Sequence, residues 1–585
     1  MCDLCCSLSG VEVCTGPLGQ GISQAVGLAI AQKHMATTYH TEDFPTLLDH
    51  STYVICGDGC LQEGVASEAS SLAGHLGLGR LIVLYDDNKI TIDGPTDLSF
   101  TEDVGKRYEA YGWHVQTVDD VAHGLEDLRE AVRKAQAVTD QPSLIKIRTA
   151  IGYGSPSKEG SEKAHGSPLG PEDLAGAKSN YGLDPTKSFF VDDDVKEVYA
   201  QATARVEAKH TEWQATFDKY KAAHPAKAAE LERRFGHELP DGIFDKLPTF
   251  AYGQDKELAT RKYSEQCINA LAPELPELMG GSADLTPSNL TSLKCSGDFQ
   301  KDTPGGRYLR FGVREHGMTA VCNGIFAYGA FRPFCATFLT FAGYCVGAIR
   351  ISALSRFGVL FVMTHDSIGL GEDGPTHQPI ETLESLRSMP NIHVFRPADL
   401  NETAAAYQSA MTNHTTPTVI CCSRSTVPAL QLSTKEKALR GAYACVECDG
   451  EPQLVLVATG SEVGPCVAAA QALEGVRVRV VSMPCQEIFL DQTKEYQESV
   501  LPGNVPTLSV EASATYGWHR FSHAQIGMTS FGKSGKGSEV FEYFGFGVDN
   551  IVAQAKVVLD FYKDKPVPNL SAVPTIVPPN DPNHH

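Results

Sequence analysis

The chain has 585 residues and carries 49 Lys+Arg against 71 Asp+Glu, a formal net charge of −22 at pH 7. That balance argues against a nucleic-acid partner, because phosphate binding needs a basic face to displace counterions, and it means that an anionic substrate has to be drawn in by a local cluster of Arg and His. Hydrophobic residues make up 42% and charged residues 21%, an ordinary globular composition that excludes general disorder; the length predicts about three or four domains of ~150 residues.

The opening MCDLCCSLSG has no basic segment leading into an apolar core, so no signal peptide is predicted there. Several of the 17 cysteines sit inside apolar runs such as VICGD and TVICCSR, which reads as reduced core thiols and a cytoplasmic location. Cys2 with Cys5 and Cys445 with Cys448 have CxxC spacing, but no second pair follows at zinc-ribbon spacing, so zinc is not expected. The longest uncharged stretch, 333–349, contains Gly343 and Gly347 and is closed by Arg332 and Arg350. It is too short for a membrane span, so a buried segment is expected and no membrane partner.

Along the chain, TYVICGD, RLIVLYDDN, SLIKIRTA, VLFVMTHDS, TVICCSR, QLVLVATGS and VRVRVVSMP are short β-branched runs that alternate with longer segments of helical period, 124–139 among them. This pattern predicts βαβ units and mostly parallel sheets, whose strands are buried on both faces. A polar helical stretch over 192–235 gives way to GHELPDGIFDKLPTFAYGQ, which predicts a boundary near 245. A second change falls over 431–450. The fold class expected is α/β with three domains, 1–245, 246–430 and 446–585.

Five stretches bear on chemistry. In YVICGDGCLQEG an apolar run ends on Asp58 between Gly57 and Gly59, at the strand end where open α/β sheets bind ligands. Glycines permit close backbone approach, and a carboxylate offers a hard oxygen to a divalent cation. Asn88, in LYDDNKITIDG, ends the next apolar run with a second hard oxygen. Two such donors suit magnesium shared with a phosphate better than an all-protein cage. In RFGVREHGM, Glu315 opens a helix-like segment, which alone reads as a surface cap. Phe338, Phe341 and Tyr344 recur at three-residue steps, ordinarily a core stripe, and THDSIGLGEDGPTHQPIE holds His365, Asp373 and His377 in a glycine-rich loop with little structural reason to exist. A sixth motif, GMTSFGKS, fits the P-loop pattern, but two further glycines follow where a helix is required, so a chance match is expected.

Gly57–Asp58–Gly59 followed some thirty residues later by Asn88, together with TGPLGQGISQAVGLA, resembles the thiamine-diphosphate enzymes, and the transketolase family in particular. The resemblance runs from about Gly10 to the end of the chain. It implies that Asp58, Asn88 and the carbonyl of Ile90 hold a magnesium or calcium ion on the diphosphate. Gly16 and Leu18 would lie beside the cofactor, with the helix from Ile22 packed below. Glu63 would stand at a homodimer contact and His165 on the substrate side. In a pyrimidine-binding domain, Glu315 would bond a ring nitrogen and be raised in pKa by burial, Phe338, Phe341 and Tyr344 would receive the ring, and Asp284 would lie near it. His365 and His377 become substrate ligands, His165, His365 and Glu315 the catalytic set, Asp373 a reader of hydroxyl configuration, and Arg261, Ser288 and Arg424 the phosphate ligands.

The activity implied is reversible transfer of a two-carbon ketol group from a ketose phosphate of the xylulose 5-phosphate type to an aldose phosphate such as ribose 5-phosphate or erythrose 4-phosphate, through a thiamine diphosphate adduct, in the pentose phosphate pathway. Family segments of the kind S-G-H-P-G, G-H and G-H-P-E, expected before GPLGQG, have no counterpart here, so the diphosphate domain is expected to be truncated at its N-terminus. Two alternatives stand beside the main reading: a catalytically impaired transketolase-like dimerisation partner, and a formaldehyde-using relative.

Overall fold

A computed structural model describes residues 10–122 and 124–572. Cys2, Cys5 and the two termini lie outside these residues. The chain divides into two compact units.

The first unit runs up to Glu238 and includes Phe299–Gly306 and Ala327–Ala330. Helix α1 (Gln20–Tyr39) begins two residues before the expected Ile22. Gly19 turns the chain into it at φ +79°, and a Cβ there would lie 2.7 Å from Val65 Cγ1, so no larger residue fits this start. Four strands, β1 (Thr52–Gly57), β2 (Leu81–Asp87), β3 (His114–Val118) and β4 (Ser143–Arg148), form a parallel sheet in the order β1-β2-β4-β3. Val54 pairs with Val83 and Leu84 with Ile145. The inner strand β2 is nearly buried throughout. Strand β1 departs from the expected two-sided burial: Tyr53 is 48% and Ile55 80% exposed, because β1 is the edge of this sheet. Behind β1 the chain enters α2 (Asp58–Gln62) and α3 (Gly64–His75). The polar stretch folds as the long α4 (Asp193–Ala223), pinned by Tyr220 Oη donating to Tyr39 O and Trp213 Nε1 donating to Leu47 O.

The second unit comprises Leu239–Asp298, Arg307–Phe326 and the chain from Phe331 on. Its first sheet contains β5 (Leu278–Ser282), β6 (Tyr308–Arg310), β7 (Arg332–Phe338), β8 (Leu360–Thr364), β9 (His393–Phe395) and β10 (Thr418–Cys422), all parallel in the order β9-β10-β8-β7-β5-β6. The uncharged stretch becomes the wholly buried β7 followed by helix α6 (Ala342–Leu354), after α5 (Glu315–Ala327). A second sheet holds β11 (Tyr443–Val446), β12 (Leu454–Ala458), β13 (Val478–Ser482), β14 (Thr507–Ala514) and β15 (Ala524–Met528), in the order β11-β13-β12-β14-β15 with only β11 antiparallel. The last short helix is α7 (Gly537–Tyr543). It starts after Lys536 rather than at Lys533, so GMTSFGKS is not a phosphate loop. Cys445 is buried and donates to Val480 O; among the described residues no His, Cys, Asp or Glu group is arranged to hold a metal by itself. No described helix is long and apolar enough to cross a membrane.

A charged cluster ties the two sheets of this unit. Arg396, with no solvent exposure, donates from Nε to Asp366 Oδ2 at 2.9 Å, forks onto Glu462, and reaches Thr459 Oγ1 at 2.9 Å. Beside it, Arg387 makes a two-pronged pair with Glu511 at 2.8 Å on both arms. Burial alone would raise the Glu511 carboxyl, but Arg387 and Arg396 overcome it and hold it at about 2. Removing one partner of such a set strands the others as unpaired buried charge. Arg396→Ala is therefore expected to cost about 3–5 kcal/mol, read as a drop in the urea midpoint of the full chain by tryptophan fluorescence, since Trp518 donates to Glu511. An unchanged midpoint would show that the cluster is not coupled to folding.

Candidate active site

Asp58 stands where β1 meets α2 and is 2% exposed. Tyr85 Oη donates to its Oδ1 at 2.6 Å and the Lys89 backbone N–H to its Oδ2 at 3.0 Å. Among the described residues no cation ion-pairs with it; Lys89 turns its amine to Asp87 at 2.9 Å. Burial pushes the Asp58 carboxyl upward, and the neighbouring Asp87 adds to this against the Tyr85 and Lys89 hydrogen bonds. A buried, partly bonded carboxylate without a counter-ion is what a divalent cation would complete.

The same turn holds Asn88. Its Oδ1 accepts from Ile90 N at 3.0 Å and its Nδ2 donates to Asp86 Oδ2 at 3.1 Å, while Lys89 sits at φ +63°. The Lys89 N–H bond to Asp58 joins this turn to the Gly-Asp-Gly turn, as neighbouring strands β1 and β2 require. Around Gly57 there is space: a Cβ there, or at Gly16, would meet nothing within 4 Å, whereas at Gly59 it would lie 2.9 Å from Leu18 Cδ1. Leu18 is thus laid over Gly59, and the open side is at Gly57. Hard oxygens beside an open glycine backbone fit a metal-bound diphosphate. Glu63, at the junction of α2 and α3, is exposed, and so is His165, just past a short 3₁₀ turn.

In the second unit the strand ends of the first sheet gather another set. Phe338 ends β7; its ring stacks on His365 with centroids 3.7 Å apart, and on Phe341 at 5.9 Å. His377 meets Phe341 edge-on at 5.3 Å, and Tyr344, 68% exposed, lies 6.0 Å from Phe341. The stripe is therefore not plain core: its rings face histidines and solvent. Glu315 opens α5 and is half-buried, less covered than the sequence reading expected. Asp284 follows β5 at φ +57° and is exposed, as is Asp373.

Arg261 and Ser288 come together, Arg261 Nη1 donating to the Ser288 carbonyl at 2.8 Å, while Arg261 Nε is buried without a partner. Arg424 donates to Leu370 O and is only loosely paired with Glu372, at 3.9 Å. Burial and the nearby Arg424 lower the Arg261 pKa. Burial first, then Arg261, Arg424 and His377, push His365 down to about 3. Two guanidiniums and two imidazoles thus converge with only one exposed carboxylate, Glu372, reaching toward them. Such a site attracts an anion with several oxygens.

The protonation pattern of His365 follows from residues that the sequence reading missed. Thr364 Oγ1 donates its single proton to Asn289 Oδ1 at 2.7 Å, so at its 2.7 Å contact with His365 Nδ1 the ring must be the donor. Nε2 then carries the lone pair. Tyr85, Asn289, Asp366 and Arg396 carry no local sequence signal; only strand order brings them to these groups.

Comparison with known proteins agrees with this geometry. Residues 5–240 match the family model described as "Transketolase, thiamine diphosphate binding domain", 256–429 that of "Transketolase, pyrimidine binding domain", and 441–547 the "Transketolase-like TK C-terminal domain". The chain is 51% identical over 570 residues to the transketolase of Kluyveromyces lactis, covering 96% of this chain and 83% of that one. It is 50% identical over 562 residues to the transketolase of Nostoc sp., covering 94% and 83%. Among solved structures, transketolase from Leishmania mexicana superposes with a TM-score of 0.93 at 48% identity, covering 96% of this chain and 83% of that one. Pichia stipitis transketolase in complex with sedoheptulose-7-phosphate superposes with 0.94 at 47%, covering 97% and 84%. Fold and site together define a thiamine-diphosphate-dependent transferase of three α/β domains. Within that class, the chain belongs to the transketolase family.

Because burial, reinforced by the neighbouring cations, holds His365 neutral, it is expected to show no protonation over about pH 5–8, where an ordinary His titrates. Arg261→Gln removes one opposing charge and is expected to move the titration upward. The His365 Cε1–H chemical shift, assigned by its loss in His365→Gln and followed against pH, checks both; an inflection of that resonance near pH 6.5 in the unmodified chain would contradict the assignment.

Proposed function

We propose that the chain catalyses reversible transfer of a two-carbon ketol group from a ketose phosphate to an aldose phosphate. The observation that carries this is the convergence of Arg261, Arg424, His365 and His377 beside the Phe338–Phe341 ring pair. It offers a sugar phosphate both a cationic end and a proton acceptor. Relatives solved with xylulose-5-phosphate and sedoheptulose-7-phosphate support the substrate class.

In this reading Asp58, Asn88 and the Ile90 carbonyl hold a divalent cation, magnesium or calcium, on the diphosphate, with Gly57, Gly59, Gly16 and Leu18 around it. Phe338, Phe341 and Tyr344 line the place of the pyrimidine ring, with Asp284 close by. Thiamine diphosphate, when bound, supplies a carbon nucleophile and a sink for the electron pair released as a carbon–carbon bond breaks. The chain's residues do the rest. Glu315 shares a proton with a ring nitrogen. Arg261, Arg424 and Ser288 hold the substrate phosphate and fix the carbon chain relative to the reacting end. His365 accepts at Nε2 the proton of a sugar hydroxyl, its Nδ1–H being committed to Thr364. His377 and His165 bind neighbouring hydroxyls, and Asp373 reads their configuration. Glu63 stands at the contact of a homodimer whose second subunit completes each site. Free cysteines, most of them buried, support a cytoplasmic setting.

The test is an assay of the full chain with magnesium, thiamine diphosphate, xylulose 5-phosphate and ribose 5-phosphate. Asp58→Ala and Glu315→Ala are each expected to lower kcat by about a hundredfold or more. Saturating cofactor at ~100 Kd is expected to stabilise the unmodified chain by about 2.7 kcal/mol, and Asp58→Ala to abolish that gain in thermal melting. Cofactor-dependent stabilisation without turnover would identify an impaired, dimerising relative instead. The absence of both stabilisation and turnover would overturn the site.

A further inference from the structure

The P-loop-like motif that carries no phosphate site packs on the loop bearing His365, Asp373 and His377. Gln378, 2% exposed and next to His377, is the hub. Its Nε2 donates to Lys533 O at 2.9 Å, and lies 3.2 Å from Gly371 O and 3.3 Å from Ile368 O. Its Oε1 is buried with no partner and faces Gly532 so closely that a Cβ there would lie 1.8 Å away.

The contact continues residue by residue. A Cβ on Gly537 would lie 2.5 Å from Gly369 O, one on Gly369 2.2 Å from Phe541 Cε2, and one on Gly374 2.3 Å from Ser534 Oγ. Just beyond, Ser513 Oγ and Ala514 N donate to Ile380 O at 2.6 and 2.8 Å. Both sides of this contact are glycine-rich because backbone or side-chain atoms of one side approach the other's backbone too closely for a Cβ. At its other end the loop is fixed by the Arg396–Asp366 pair, directly after His365 at φ +59°.

We propose that the glycine-rich strap 532–537 of the C-terminal domain, gripping Gln378, is a positioning element for the substrate loop 366–378 and sets the affinity of this site for sugar phosphates. This rests on the reading of His365 and His377 as substrate ligands. The strap touches no substrate; it acts through the backbone of the loop. A Cβ at Gly532 displaces the Gln378 amide, and the displacement passes to the adjoining His377.

The experiment measures the Kd of the full chain for ribose 5-phosphate by calorimetry, an aldose phosphate alone giving no transfer, in parallel with hydrogen exchange over 366–378 and thermal midpoints. Gly532→Ala is expected to weaken binding about tenfold, the scale on which small misplacements act, and to speed exchange in the loop. The thermal midpoint is expected to stay within a few degrees. Gln378→Ala is expected to weaken binding as much, and the double variant no further, since the added methyl then has room.

His377→Ala separates the two readings. If it weakens binding while Gly532→Ala does not, the strap proposal is overturned and the substrate site stands. If neither changes binding although exchange in the loop quickens, or if the unmodified chain binds no ribose 5-phosphate, the substrate reading fails and takes the proposal with it. A fall in thermal midpoint with unchanged Kd assigns the contact to stability alone and also overturns it.

Discussion

A guanidinium that water cannot reach has to be satisfied on every arm, and at Arg396 this requirement joins the carboxyl ends of three strands. Asp366 follows β8, Arg396 follows β9, and Thr459 and Glu462 follow β12. An unpaired charge there would cost several kcal/mol, so the three strand ends can share only one arrangement. His365 lies between Thr364, the last residue of β8, and the pinned Asp366. Its left-handed backbone, a conformation that costs of order 1–3 kcal/mol for a side chain of this kind, is held from both sides. The direction of its ring toward Phe338 is thus decided by an ion pair belonging to no proposed substrate contact.

The electrostatics of the site run against those of the whole chain. A protein with net charge −22 repels anions at long range. At short range the balance reverses: burial and then Arg424 lower the proton affinity of Arg261, and burial, Arg261 and Arg424 lower that of His365. The same cations that would hold a phosphate add to burial in keeping the histidine neutral. One arrangement therefore gives both an anion site and a base, with no carboxylate needed to tune the ring. Arg261 Nε, buried and without a partner, marks where hydrogen-bonding capacity is left for a ligand oxygen.

Much of this was legible in the residues. Runs such as LIVLYDD, LFVMT and LVLVA announce themselves as strands because two-sided burial leaves no polar position before their carboxyl ends. The turn holding Asp58 and the loop holding His365 and His377 stand out because charge and glycine fall where an apolar run ends. Strand β5 was not legible: Gly280 and Gly281 weaken any strand pattern, and they are there because a Cβ on each would lie 1.8 Å from a carbonyl of the neighbouring strand. Strand β3, HVQTV, is half polar at the sheet edge. The partners that fix the site were hidden for a different reason. Tyr85 reaches Asp58, Asn289 relays to His365 through Thr364, and Arg396 reaches Asp366 across 27 to 75 residues of sequence. Such pairs depend on which strands become neighbours, and the order β9-β10-β8-β7-β5-β6 follows from no local spacing.

The C-terminal domain supplies no candidate reacting group, and a pattern search alone would assign its glycine-rich segment to nucleotides. The geometry gives those glycines another cause. A phosphate loop needs glycine so that backbone can approach a ligand; here the approaching partner is the backbone of the chain's own loop, and the amide of Gln378 stands where a ligand oxygen would. The same domain provides Glu462 and Thr459 to Arg396. Loop 366–378 is therefore tied to it at both ends, at Asp366 by way of Arg396 and at Gln378 through a side-chain amide held on the Lys533 carbonyl. A domain without a candidate reacting group thus shares the holding of this loop with the segment after β10, where Arg424 donates to Leu370 O and Ser425 Oγ to Gly369 O at 2.8 Å.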